Sequence, residues 1–250
     1  MCGRYTITVT MEELMLRYYI GEETGPYHRP RYNIAPGQSV PAIVGHEGRN
    51  RLGELRWGLV PHWAKEERLG TTLLNARAET LTEKPAYRRS FERRRCLIPA
   101  DGFYEWKKAG SGKQPMRIVM KDNRLFSMAG LYDIWIAPDG KRLATCAIVT
   151  TTPNPLMAGI HDRMPVVLRQ EDEPLWLDRS VQDTARLQKL LVPYPGGEMR
   201  AYPVAAAVGN VRNDGPECIR ELSEEEQGGA KGETVRQAAL ELPELDLEWS

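Results

Sequence analysis

Apolar residues along this chain gather in short runs, and turn formers cut those runs at close intervals. "RIVM" ends at Met120, "LFSMAGLYDIWI" spans 125–136, "TCAIVTT" spans 145–151 and "MPVVL" spans 164–168. Between such runs stand "APGQ" at Ala35, "ADGF" at Ala100, "APDG" at Ala137, "TTPNP" at Thr151 and "NDGP" at Asn213. Runs this short, rich in β-branched and aromatic residues and bounded by Gly, Pro, Asn and Asp, predict strands. "LLNARAET" adds a period of two, with Asn75, Arg77 and Glu79 alternating with Leu74, Ala76 and Ala78, as on a strand with one polar and one apolar face. Helical spacing is confined to a few stretches. "MEELMLRYY" follows Thr10, which caps it with Glu13 three residues on, and "DEPLWLD" and "VQDTARLQKLL" lie in the second half. The pattern predicts one β-rich α+β domain over residues 1–222.

Charge alters this picture at one end. The chain has 34 basic and 34 acidic residues, but from Glu221 to Ser250 nine acidic residues meet only Lys231 and Arg236. That segment carries minus seven, so residues 1–220 carry plus seven. A basic body with an acidic tail fits a polyanionic partner, and fits equally a solvated charged surface. Residues 223–250 mix glycine, charge and sparse apolar residues and are expected to form a mobile acidic tail. No apolar run approaches the ~20 residues of a membrane span, which predicts a soluble, cytosolic monomer with no membrane partner. Cys96, Cys146 and Cys218 lie far apart and without CxxC spacing, as small buried hydrophobes do. His28, His46 and His62 have no partners at metal-ligand spacing, so neither a metal nor any other cofactor is expected.

The fourth cysteine needs another account. The chain opens "MCGRYTI", and removal of Met1 exposes the α-amine and thiol of Cys2 on adjacent carbons. Their reference pKa values, about 7.7–8.0 and about 8.5, make both nucleophiles near neutrality. An amine attacks an aldehyde to give an imine, and a neighbouring thiol then closes a five-membered thiazolidine. An incidental cysteine at position 2 is the alternative.

Elsewhere, Asn75 carries both a donor and an acceptor, suited to orienting an amine or a sugar hydroxyl, and Arg77 can fork onto a phosphate. In "IPADGFYEWKK", Glu105 stands among Phe103, Tyr104 and Trp106. Apolar surroundings raise a carboxyl pKa toward the range useful for proton transfer, whereas exposure would pair it with Lys107 or Lys108. "AGIHDRMPVVL" supplies His161, whose unperturbed pKa lies near neutrality, beside Arg163. Arg4, Arg77, Arg163 and Arg212, with the faces of Trp57 and Trp63, are the materials of a single-strand nucleic-acid groove. "RRSFERRRC" from Arg88 either extends that groove or is a solvated helix face.

In order, "MCGRY", "RYNIAPGQ", "WGLVPHWA", "NARAET", "ADGFYEWKK", "IHDRMP" and "VGNVRNDG" resemble the SRAP family, the SOS-response-associated peptidases understood as abasic-site processing proteins. The resemblance covers about the first 220 residues. It implies a mixed, largely antiparallel barrel-like sheet with flanking helices. It also implies a matured Cys2 terminus that forms a thiazolidine with the ring-opened aldehyde of an abasic site in single-stranded DNA. By position Asn75 looks like the residue that orients the terminus, Glu105 like the proton shuttle, and His161 like the residue that assists attack and slow reversal. Arg4, Arg77 and Arg163 resemble phosphate contacts, Asn33 and Trp63 residues lining the groove, and Arg212 lies in the last shared motif. The family is associated with removal of its own first residue and with strand cleavage by β-elimination. Where some members place a second aromatic after the Trp, this chain has Ala64.

Two other readings use the same features. Glutamine amidotransferases of the N-terminal-nucleophile type also begin Met-Cys-Gly and attack an amide with the Cys thiol. A reader of modified DNA would use the cations and aromatics without any covalent step.

Overall fold

A computed structural model of the chain describes residues 2–21 and 28–227. Thirteen strands run in chain order: β1 Arg4–Ile7, β2 Arg31–Ile34, β3 Ser39–His46, β4 Arg49–Trp57, β5 Asn75–Arg77, β6 Arg95–Ala100, β7 Gly102–Ala109, β8 Gly112–Met120, β9 Phe126–Ile136, β10 Arg142–Thr151, β11 Met164–Pro165, β12 Val167–Leu168 and β13 Met199–Pro203. The helices that lie wholly within the described residues are α1 Met11–Tyr18, α2 Pro85–Arg93, α3 Pro155–Ala158, α4 Glu173–Leu177 and α5 Thr184–Gln188. One sheet has the order β13-β8-β7-β1-β2. In the other, β4 pairs with β3, β3 with β6, β6 with β9, β9 with β10, and β10 returns in parallel to β4. The second sheet is therefore a closed, mixed barrel, which removes its edges.

Local chemistry explains the joints. The β3–β4 hairpin turns through Glu47 (φ 51°) and Gly48 (φ 74°), both in the left-handed region that a two-residue turn of this twist demands. Helix α1 has the expected capping box, Thr10 accepting from the Glu13 amide at 3.2 Å and Glu13 accepting from the Thr10 amide at 2.7 Å. "RRSFERRRC" contributes the last turns of α2, with Arg88, Arg89 and Arg93 exposed, and then Arg95, which is buried. Its guanidinium donates to the carbonyls of Phe91, Glu92, Trp176, Asp178 and Val181. Four of these are carbonyls at the ends of α2 and α4, and that of Val181 lies in the loop after α4. Burial lowers the Arg95 pKa to about 10.

"ADGF" is not a hairpin turn. β6 belongs to the barrel and β7 to the open sheet, and Asp101 between them is the corner where the chain crosses. Its buried carboxylate accepts from both hydroxyls of Thr6 and Thr8, from the Thr8 amide at 2.6 Å and from Arg117 at 3.1 Å. Trp57 ties the two sheets together on the apolar side. Its ring meets Tyr5 edge-on at 5.5 Å, and its indole N–H donates to the Leu74 carbonyl at 2.9 Å.

"LLNARAET" forms a strand only over Asn75–Arg77, and Ala78–Thr80 coil into a 3₁₀ turn. Ser223 and Glu226 cap each other, and Glu226 pairs with Arg220 at 2.8 Å, so residues 223–227 begin an ordered helical turn. The rest of the expected acidic tail, 228–250, lies outside the described residues. No helix among the described residues is long and apolar enough to cross a membrane.

Asp101→Ala leaves the Arg117 guanidinium buried without its carboxylate and the Thr8 hydroxyl without its acceptor, while Thr6 keeps the Gly102 carbonyl at 3.2 Å. The expected loss is about 3–5 kcal/mol, read as a lower urea midpoint at unchanged slope.

Candidate active site

Four separate segments converge around Cys2. It lies two residues before β1, an interior strand whose Arg4 and Tyr5 stand opposite Tyr104 and Phe103 of β7. One step further along this register, Gly3 comes opposite Glu105. On the other side, β5 runs parallel to β10 with Asn75 in register with Ile148. The Asn75 amide nitrogen donates to the Cys2 carbonyl at 3.0 Å, and Tyr87 Oη donates to the Asn75 carbonyl at 3.1 Å. His161 arrives from α3, which Asn154 caps through the Met157 amide at 2.9 Å. The Ile160 and His161 amides both donate to the Met157 carbonyl at 2.8 Å, curling the chain so that His161 Nε2 lies 3.8 Å from Glu105 Oε2.

Burial sets the electrostatics. Cys2 has no exposed surface, and burial first, then the Glu105 charge, push its thiol far above the ordinary range. Glu105 is 2% exposed, not paired at the surface with Lys107 or Lys108. Burial raises its pKa, with His161 as a smaller opposing influence. The buried Asn75 Oδ1 has no hydrogen-bond partner among the described residues. His161 Nδ1 faces two groups with opposite demands: the Arg163 amide at 3.0 Å, which needs an acceptor, and Asp162 Oδ1 at 2.8 Å, which needs a donor. A ring with a bare Nδ1 satisfies the first, and a ring with a proton on Nδ1, as the other neutral tautomer or as an imidazolium, satisfies the second.

The cations divide into two kinds. Arg77 and Arg212 are exposed. Arg4 is half-buried and donates to Asn33 Oδ1 at 3.0 Å, to the Val208 carbonyl at 2.8 Å and to the Gly209 carbonyl at 3.1 Å. Asn33 has no solvent-facing surface with which to line a groove. Its amide instead holds the carbonyls of Val208, Asn210 and Asn213, fastening the loop that carries Arg212 to β2. Arg163 is engaged by Glu79 at 2.8 and 3.0 Å and by the Thr150 carbonyl at 2.7 Å. Trp63 is 52% exposed. The preceding His62 binds Asp133 through Nδ1 at 3.0 Å and receives Arg89 at Nε2, 2.8 Å away.

Sequence reasoning noted Glu79 only as a polar position in an alternating strand, and gave Asp133 and Thr150 no part. The position of Glu79 two residues after Arg77 was the available signal for it. Asp133 and Thr150 are separated from their partners by strand pairings that local pattern does not reveal.

The sequence pattern of the SOS response associated peptidase (SRAP) family matches residues 1–211. Among curated relatives, the Bacillus subtilis "Abasic site processing protein YoqW" is 48% identical over 222 residues, 88% of this chain and 99% of that protein. The chicken "Abasic site processing protein HMCES" is 34% identical over 225 residues, 77% of this chain and 66% of that protein. A crystal structure of a Bacteroides thetaiotaomicron protein is similar with a TM-score of 0.80 at 28% identity, covering 89% of this chain and all of that one.

Because burial raises the Glu105 pKa, the native state binds this proton more tightly than the unfolded chain. The stability linked to it is present at low pH and is lost as pH rises from the ordinary carboxylate range through the raised native value. Glu105→Gln cannot ionise. It is expected to melt a few degrees above the parent at about pH 8, with the gap closing toward about pH 4, in thermal unfolding across that range.

Proposed function

We propose, on the premise that this chain belongs to the SOS response associated peptidase (SRAP) family, that it processes abasic sites by bonding covalently to them through Cys2. The substrate is the ring-opened aldehyde of an abasic sugar in single-stranded DNA, since a buried Cys2 is reached more readily by a sugar that carries no base and is not held in a duplex. The observation that carries this reading is the grip of Asn75 on the Cys2 carbonyl, with Glu105 and His161 at the same residue's flank.

Hydrolysis of the Met1–Cys2 bond comes first and releases the α-amine. The amine adds to the aldehyde carbon, and loss of one water from the carbinolamine leaves an imine. The Cys2 S–H then adds across C=N, sulfur to carbon and proton to nitrogen, closing the thiazolidine. The order follows from the electrostatics, because a thiol kept protonated by burial and by Glu105 waits while the amine attacks. Glu105, with its pKa raised, gives a proton to the departing hydroxyl and recovers one from the carbinolamine nitrogen as the imine forms, and it then relays the thiol proton to the ring nitrogen during closure. Asn75 fixes the direction of the terminus and offers Oδ1 to the opened sugar. His161 assists attack and the slow reverse reaction. The same imine, on losing a proton from the adjacent sugar carbon, expels the 3′ phosphate, so ring closure competes with strand cleavage.

Arg77 and Arg212 supply exposed charge for phosphates, with Trp63 as the stacking face, and Arg4 and Arg163 stand behind them, bonded to Asn33 and loop 208–209 and to Glu79 and Thr150. An amide-hydrolysing role fits less well, because it leaves the exposed Arg77, Arg212 and Trp63 without a use.

Incubated with a single-stranded oligonucleotide bearing one abasic site, the parent protein gives a shifted band on a denaturing gel. Cys2→Ala is expected to give none except a borohydride-trapped imine, and Glu105→Gln to slow band formation about 100-fold. No band from the parent, or a durable band from Cys2→Ala, would refute the proposal.

A further inference from the structure

Glu79 has no part in the chemistry above, yet it is built into the site from two directions. It sits in the 3₁₀ turn Ala78–Thr80, directly after the strand that presents Asn75 and Arg77. Its two oxygens accept from both terminal nitrogens of Arg163, at 2.8 and 3.0 Å. A two-point fork fixes orientation as well as distance. The same guanidinium donates to the Thr150 carbonyl at 2.7 Å, and Thr150 is in register with Arg77 across β10 and β5. Arg163 is thus held from both strands, and its side chain is 12% exposed.

What Arg163 then holds is His161. The Arg163 backbone N–H donates to His161 Nδ1 at 3.0 Å, and a ring nitrogen that accepts carries no proton. The proton of the neutral imidazole is therefore on Nε2, the nitrogen 3.8 Å from Glu105. Asp162, an exposed carboxylate 2.8 Å from the same Nδ1, favours a proton there instead. Were the Arg163 amide to drift, the neutral ring would pass its proton to the Asp162 side and present Glu105 with an acceptor.

We propose that Glu79 is a positioning residue: by clamping Arg163 it keeps the Arg163 amide on His161 Nδ1, and so holds the imidazole with its Nε2 proton toward Glu105. The inference deepens the covalent reading and rests on it for its catalytic consequence. It also carries an opposite effect on binding. Glu79 occupies a guanidinium that a phosphate would otherwise take, so removing it unlocks the imidazole while releasing positive charge toward DNA.

The experiment uses the full chain and three readouts on Glu79→Gln and Glu79→Ala. The tautomer of His161 is read from ¹⁵N spectra of the four histidines above their titration, assigned with His161→Gln. Binding of an undamaged single strand and the rate of crosslinking to an abasic strand are measured beside it. The parent shows the Nε2–H tautomer. Glu79→Ala shows a mixture, crosslinks about tenfold more slowly, and binds the undamaged strand several-fold more tightly, a pairing of opposite signs that general loosening of the fold would not give. Glu79→Gln, which keeps an acceptor for Arg163, falls between, and guards against a misfolded alanine variant. The double variant Glu79→Arg with Arg163→Glu recovers the tautomer by restoring the fork. Variants that keep the Nε2–H tautomer and the parent rate overturn the inference. A parent that never crosslinks sinks the covalent reading instead, and the tautomer comparison still decides whether Glu79 sets the ring.

Discussion

A segment this near the start of a chain ordinarily frays, and β1 does not. β1 starts at Arg4 and lies between β7 and β2, so its backbone is hydrogen-bonded on both sides within two residues of Cys2. Tyr5 and Ile7 are wholly buried, and Tyr5 packs on Trp57 of the barrel. The Asn75 bond to the Cys2 carbonyl extends this restraint to the residue itself. In the proposed chemistry, an amine and a thiol left without that restraint would sample many directions, and the gain from internal ring closure would be lost to ordering them.

The same restraint explains why so many polar groups are buried nearby. Fixing β1 against both sheets draws Thr6, Asp101 and Arg117 inside together, and Asp101 serves at once as the corner between the sheets and the partner of that buried cation. Arg4 and Asn33 perform a comparable task for loop 208–213, which brings Arg212 to the side of β1. Several arginines that a charge count treats as ligand-facing are therefore already bonded within the protein. The exposed ones, Arg77 and Arg212, sit on elements that the bonded ones hold.

Much of this was legible in the sequence where chemistry is local. The α1 capping box and the strands over 126–136 and 142–151 follow from neighbours within a few residues, whereas the neighbours of Glu105 left it open between burial and pairing with Lys107 or Lys108, and the assembled site buries it. What escaped is long-range. Barrel closure depends on β10 pairing in parallel with β4, a contact between residues 145–146 and 56–57 that no periodicity announces. "ADGF" carries the residues of a tight turn, yet Asp101 is claimed by Thr6 and Thr8 from far upstream and becomes a crossing point. "NARAET" alternates like a strand, but parallel pairing with β10 ends at Arg77, and the chain coils so that Glu79 reaches Arg163. The four residues expected to share the chemistry come from positions 2, 75, 105 and 161, and only the assembled sheets bring them to one place.

The central claim is that two atoms of one residue, the nitrogen and sulfur of Cys2, both end on the sugar carbon. Tandem mass spectrometry of the protease-digested DNA adduct tests it most directly. The account predicts an N-terminal peptide beginning at Cys2, heavier by the opened sugar remnant less one water, with its thiol no longer open to alkylation. An adduct mapped to a lysine, or one on a peptide that still begins with Met1, would contradict it.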